Sequence, residues 1–128
     1  MAITVNPLEF DIRPREGSCF TISGDAAVDT ANPVPGKLNI NLTNSAGKWI
    51  KLVVEGFYPS WTSIWPSGEL QDSQSANYST QLQYYTGWTI KFTRWAPGFL
   101  GIPGNAGGEA YVTLPNAGDV TINVTVTS

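Results

Sequence analysis

Aromatic side chains crowd into one stretch of this chain. Trp61, Trp65, Trp88 and Trp95, with Tyr58, Tyr78, Tyr84 and Tyr85, all lie between Phe57 and Trp95, and Ser, Thr, Gln, Asn and Gly fill the gaps. Such a mixture suits a neutral polar ligand. A sugar ring offers a C–H face that stacks on Trp or Tyr and a rim of hydroxyls that needs amide, carboxylate or hydroxyl partners. Aromatic bodies with polar tips supply both at low cost in side-chain entropy. The densest candidate is the stretch 57–68, where Tyr58, Trp61 and Trp65 sit in a loop-like segment stiffened by Pro59 and Pro66. We read Trp61 and Trp65 as stacking platforms, Tyr58 and Tyr78 as secondary ones, and Asp72, Gln74 and Asn77 as hydroxyl partners.

Acid–base and metal chemistry find little here. The chain has no histidine, which excludes Ser-His-Asp and Cys-His arrangements and His-based zinc sites. Its one cysteine, Cys19, excludes a disulfide within the chain and cysteine-rich metal sites. The alternating run around it reads as a buried, inert thiol. Glycine-rich stretches occur, but none carries the Gly-Lys-Ser/Thr of a phosphate loop. Glu55, Glu69 and Glu109 are the candidates for a glycosidase carboxylate pair, and ordinary surface charge is the favoured reading. Asp25 and Asp29 lack the dense acidic spacing of a calcium loop. The expectation is a non-enzymatic protein without metal or cofactor.

Composition narrows the partners. Charged residues make up 13% of the 128, against roughly a quarter in ordinary globular chains. The net charge is −3, and the one local basic pair, Arg13 and Arg15, is flanked by Glu9, Asp11 and Glu16. Nothing supplies the phosphate-neutralising field that nucleic acid requires. No stretch approaches the roughly 18 apolar residues of a membrane helix. The first residues lack the basic and apolar blocks of a signal peptide. The expected location is therefore the cytoplasm, or release by lysis or a non-classical route.

Period-2 alternation dominates, and helical periodicity is nearly absent. Leu38, Ile40 and Leu42 alternate with Asn39, Asn41 and Thr43; Ile50, Leu52 and Val54 follow, and residues 44–48 between them have turn chemistry. This predicts a hairpin of strands 37–43 and 49–55. A second hairpin is predicted from 79–85 and 88–94 around Thr86-Gly87, with Trp88, Ile90 and Phe92 on one face. In 120–127, Val120, Ile122, Val124 and Val126 alternate with Thr121, Asn123, Thr125 and Thr127. Shorter strands are predicted at 3–12, 18–23, 68–72 and 109–114. The two long connections are 24–36 and 96–108. The second of these carries Phe99, Leu100 and Ile102, candidates for a subunit or membrane contact if they do not tuck under the core. The fold class expected is all-β: a single antiparallel sandwich domain over 1–128, with about eight or nine strands in a jelly-roll or related Greek-key topology.

The run 38–50, with the later Pro66-Ser67-Gly68-Glu69-Leu70, resembles small sandwich-fold cytolysins and fungal-type lectins in composition more than in motif. It covers about a quarter of the chain and carries no functional residue across.

The primary expectation is a lectin-like, glycan-binding homo-oligomer. An alternative is a self-assembling subunit of a virion, filament or protein crystal, using Thr121–Thr127 as an exposed strand edge and Phe99–Ile102 as an apolar contact. A third is a membrane-active sandwich-fold toxin component that inserts Trp61, Trp65, Phe99 and Leu100 into a lipid interface.

Overall fold

In a computed structural model the described residues (2–5, 9–13, 20–57, 60–80, 83–97 and 103–127) form ten strands and no helix. These are β1 (Ala2–Val5), β2 (Glu9–Arg13), β3 (Phe20–Asp29), β4 (Pro35–Ser45), β5 (Lys51–Phe57), β6 (Trp61–Pro66), β7 (Ser75–Ser79), β8 (Thr89–Pro97), β9 (Pro103–Thr113) and β10 (Gly118–Thr127). They make two five-stranded sheets, ordered β1-β3-β10-β4-β7 and β2-β9-β8-β5-β6. Every pairing is antiparallel except β4 with β10, which is parallel. The all-β sandwich is as expected. That one central pair departs from a wholly antiparallel arrangement, and the strands outnumber the expected eight or nine.

Alternation explains the core. Leu38, Ile40 and Leu42 of β4, Val120 to Val126 at every second position of β10, and Phe20, Ile22 and Ala26 of β3 point inward from the first sheet. Leu52 and Val54 of β5, Ile90 and Phe92 of β8, and Ala110 and Val112 of β9 meet them from the second, in one continuous cluster. Burying a Leu, Ile, Val or Phe side chain contributes about 1.5–3 kcal/mol, so the interleaved layer outweighs every other favourable term here. Trp88 packs against this layer and Phe92 lies within it, whereas Trp49 is only half-buried.

Both predicted hairpins are corrected. β4 and β5 do not pair; they belong to opposite sheets, and the chain crosses the sandwich between them. β5 instead bonds to β6 and β8. The crossing is built on Asn44, which is completely buried. Its amide donates to the carbonyls of Lys48 and Leu70, both at 2.8 Å, and its Oδ1 accepts from the Ala46 N–H at 2.9 Å. The second correction is similar. The strand is Ser75–Ser79 rather than 79–85, and it pairs with β4, while β8 lies in the other sheet. Thr86-Gly87 does turn the chain: Trp88 N–H bonds to the Tyr85 carbonyl at 3.0 Å, and Gly87 has φ +66°. A turn of that type accepts glycine because its third residue needs positive φ.

Other boundaries shift as well. The predicted strand 3–12 divides into β1 and β2, one in each sheet. The predicted loop 24–36 is largely strand, because β3 runs to Asp29. The loop-like segment around Trp61 is the strand β6, and around 68–72 only an isolated bridge forms, between Ile50 and Leu70. β10, proposed as an exposed edge, is central, bonded to β3 on one side and β4 on the other. It cannot template strand addition. Cys19 and the trio Phe99, Leu100 and Ile102 lie outside the described residues, and with them the readings of a buried thiol and an apolar contact loop. Among the described residues no helix is long and apolar enough to cross a membrane.

Candidate functional site

The outer face of the second sheet gathers aromatic and charged groups. Since Leu52 and Val54 face the core, Val53, Glu55 and Phe57 of β5 face outward. In register beside them, β8 presents Lys91 opposite Glu55, and β9 presents Tyr111 opposite Lys91. Trp61 of β6 pairs with Phe57 at the sheet's edge. Its indole meets Phe57 edge-on, centroids 5.3 Å apart at 62°, and reaches inward to Tyr111, at 6.1 Å. The Lys91 ammonium sits 4.4 Å from the Trp61 ring centroid and 3.6 Å from the Glu55 carboxylate. Tyr111 donates its hydroxyl to Glu109 at 2.7 Å. Phe57 and Trp61 remain 49% and 37% exposed, so ring surface and polar groups share one open face.

Trp61 and Trp65 do not share this face. Four residues apart in a regular strand, they would point the same way. A bulge between the pairs Val54–Trp65 and Glu55–Ser63 inserts Ile64 and reverses the parity. Trp65 therefore turns toward the core side, where it stacks on Tyr78 at 5.5 Å and 16°. Tyr78 belongs to β7, an edge of the other sheet, so this stack closes one flank of the sandwich.

The expected hydroxyl partners are also dispersed. Asp72 accepts from the Gly47 N–H at 2.9 Å, and Gln74 accepts from the Gln71 N–H at 2.9 Å. Both bonds hold the turns beside the Asn44 crossing. Asn77 lies on the outer face of the first sheet, where it donates to Asn41, which in turn donates to Asn123 at 3.0 Å. Tyr58 lies outside the described residues. Of the candidate carboxylates, Glu55 and Glu109 share the outer face of the second sheet, and Glu69 follows β6 elsewhere. Phe57, Lys91 and Tyr111 were not singled out from the sequence. Alternation places each on an outward face, but which strands lie side by side is a tertiary fact.

A concavity of about 210 Å³ lies between the β3–β4 connection and the start of β10, lined by Asp29, Asn32, Gly36, Gln83 and Asp119 among others. Asp119 Oδ1 accepts from the Lys37 N–H at 2.9 Å, and a Cβ on Gly36 would collide with that carboxylate. Nearby, Tyr84 is buried, and its hydroxyl has no hydrogen-bond partner among the described residues. Burial, and then the negative charge of Asp119, push its pKa up to about 12 from 10. The folded state therefore holds this proton more tightly than the unfolded chain. Ionisation of this group leaves stability independent of pH below pH 10, and stability falls as pH rises toward 12, by at most about 1.4 kcal/mol per pH unit. Tyr84→Phe is expected to abolish that part of the alkaline loss and to leave neutral-pH stability equal or about 1 kcal/mol higher, since it removes an unsatisfied buried hydroxyl. Urea midpoints of both proteins from pH 8 to about pH 12 check this; parallel curves would refute it.

Among the described residues no three His, Cys, Asp or Glu side chains gather as a metal site. Comparison with known protein families, curated proteins and solved structures finds no match to this chain.

Proposed function

We propose that this protein binds carbohydrate without turning it over, using the outer face of the second sheet. The observation that carries the reading is the exposed Phe57–Trp61 pair, with Tyr111, Glu109, Glu55 and Lys91 on the same face. Lys91 already occupies one position over the Trp61 ring, so the sugar's C–H face stacks on what Phe57 and Trp61 leave open. Carboxylates and an ammonium around that apolar surface give a hydroxylated ring the partners it needs for orientation. Trp61 keeps the role read from sequence; Phe57 and Tyr111 replace Trp65 and Tyr78 as its neighbours.

The test is a glycan array followed by titration of the hits. Trp61→Ala is expected to reduce affinity at least about tenfold, the loss of one good stacking contact, with its melting curve nearly unchanged. Trp65→Ala is expected to do the reverse. It removes the Tyr78 stack and core packing, costs about 3 kcal/mol of stability, and leaves affinity intact at a temperature where it is folded. Undiminished binding by Trp61→Ala, or a blank array, would overturn the reading.

A second reading, the self-assembling subunit, is favoured by the other sheet. Its outer face carries Asn39, Asn41, Thr43, Ser75, Asn77 and Ser79 in cross-strand hydrogen-bonded pairs, without a charge among them. This paired β4–β7 part of the face offers a second molecule hydrogen-bonding groups and no charge to repel it.

A further inference from the structure

We infer that the β7 edge pairs with the same edge of a second copy, joining two sandwiches through one continuous ten-stranded sheet. Among the described residues β7 is the last strand of its sheet. The hydrogen bonds to β4 fix which of its backbone groups are used. Asn44 N–H bonds to the Gln74 carbonyl at 2.9 Å, and Thr80 N–H bonds to the Leu38 carbonyl at 2.9 Å. Antiparallel ladders bond at every second residue. The intervening bonded pairs are therefore Ala76 with Leu42 and Tyr78 with Ile40. The N–H and C=O groups of Ser75, Asn77 and Ser79 then point away from β4, toward the open edge.

Those three positions are self-complementary. An antiparallel copy centred on Asn77 sets Asn77 opposite Asn77 and Ser75 opposite Ser79, twice. Each of these is a bonded pair, so the ladder gains six main-chain hydrogen bonds. The polarity also reads the same in both directions: Ser75, Asn77 and Ser79 stay on the outer face, and Ala76 and Tyr78 stay on the core side. Natural edges are commonly guarded by charge, bulges or proline. β2 carries Glu9, Asp11 and Arg13, and β6 is bulged and ends at Pro66. β7 has none of these guards, and no charge on it repels a copy. β1 is also uncharged, but only at β7 do the bonds identify the outward groups and match them to themselves.

The symmetry has a functional consequence. Antiparallel pairing within one sheet places the two-fold axis perpendicular to that sheet, so both second-sheet outer faces look the same way. If that face binds glycan, the dimer is bivalent toward a glycan-bearing surface. The pairing itself does not depend on that reading.

Sedimentation across micromolar to millimolar concentration tests it, with unfolding curves alongside. Wild type is expected to be dimeric. Ser75→Lys with Ser79→Lys sets like charges opposite each other at both ends and is expected to sediment at half the mass. Ser75→Lys with Ser79→Glu makes both facing pairs attractive and is expected to remain dimeric. If the double-lysine variant fails to fold, Asn77→Lys and Asn77→Asp read the same register: each monomeric alone, dimeric when mixed. A monomeric wild type, an undiminished double-lysine dimer, or a Lys/Glu variant as monomeric as the double lysine would each overturn the proposal.

Discussion

Replacing Asn44 with alanine is expected to destabilise the protein by about 3–4 kcal/mol, a large part of the roughly 5–15 kcal/mol that holds a typical domain together. The side chain is fully buried and all its bonds go to the main chain. It donates to Lys48 and Leu70 and accepts from Ala46, while its own N–H and C=O engage Gln74 and Ser73. Alanine would strand the Lys48 carbonyl and the Ala46 N–H, at about 1 kcal/mol or more each, and would take from the Leu70 carbonyl the second of its two bonds, leaving it the Ile50 N–H. Asn44→Asp should be worse at neutral pH, because a buried carboxylate would face two carbonyl oxygens where the amide had donated. Acidification should restore part of that loss, since the protonated acid can again donate one hydrogen bond. Urea unfolding at unchanged m-value measures all three proteins. A cost below about 1 kcal/mol for the alanine variant would mean that water takes the amide's place and that the crossing is held elsewhere.

Asn44 also marks the limit of what alternation conveys. Period 2 states which side chains share a face, and it placed Leu38, Ile40, Leu42, Leu52, Val54, Ile90, Phe92 and the β10 valines in the core correctly. It does not state which strand lies beside which. Residues 44–48 have the polar, glycine-containing composition of a hairpin turn. Once Asn44 is buried, the same residues form a crossing between sheets. Both alternatives put Leu42 and Leu52 into one core, so hydrophobic burial alone cannot choose between them. The bulge at Ile64 hid from the sequence for a related reason. One inserted residue inverts every later side chain, and nothing in Ser63-Ile64-Trp65 announces it. Trp61 and Trp65 therefore read alike in the sequence, and only the bulge separates the exposed ring from the one that packs against the core. Phe57 and Tyr111 reach the same face through β5, β8 and β9, strands that are far apart in sequence and adjacent only after folding.

Gly56→Ala is expected to cost about 3 kcal/mol although strand propensity argues for a gain. Glycine inside a strand is worse than alanine by roughly 0.5–1 kcal/mol, so an unobstructed site would be stabilised. Here a Cβ on Gly56 would fall inside the Trp88 indole, which lies directly on the β5 backbone. Trp88 has nowhere simple to go. It packs on the core, Tyr85 meets its ring edge-on at 5.3 Å, and its carbonyl accepts from the Leu114 N–H at 2.8 Å. Overpacking of this kind costs about 1–3 kcal/mol and occasionally more, enough to reverse the propensity. The cause can be isolated. Trp88→Leu alone should destabilise by a few kcal/mol by leaving a void, yet in that background Gly56→Ala should cost less than about 1 kcal/mol. Strict additivity would show that the obstacle is the β5 backbone and not the indole. Gly56 also lies between Glu55 and Phe57. If Gly56→Ala folds by letting β5 move away from Trp88, Phe57 shifts against Trp61. Glycan affinity should then fall further than the folded fraction does, which ties the packing under the sheet to the recognition surface above it.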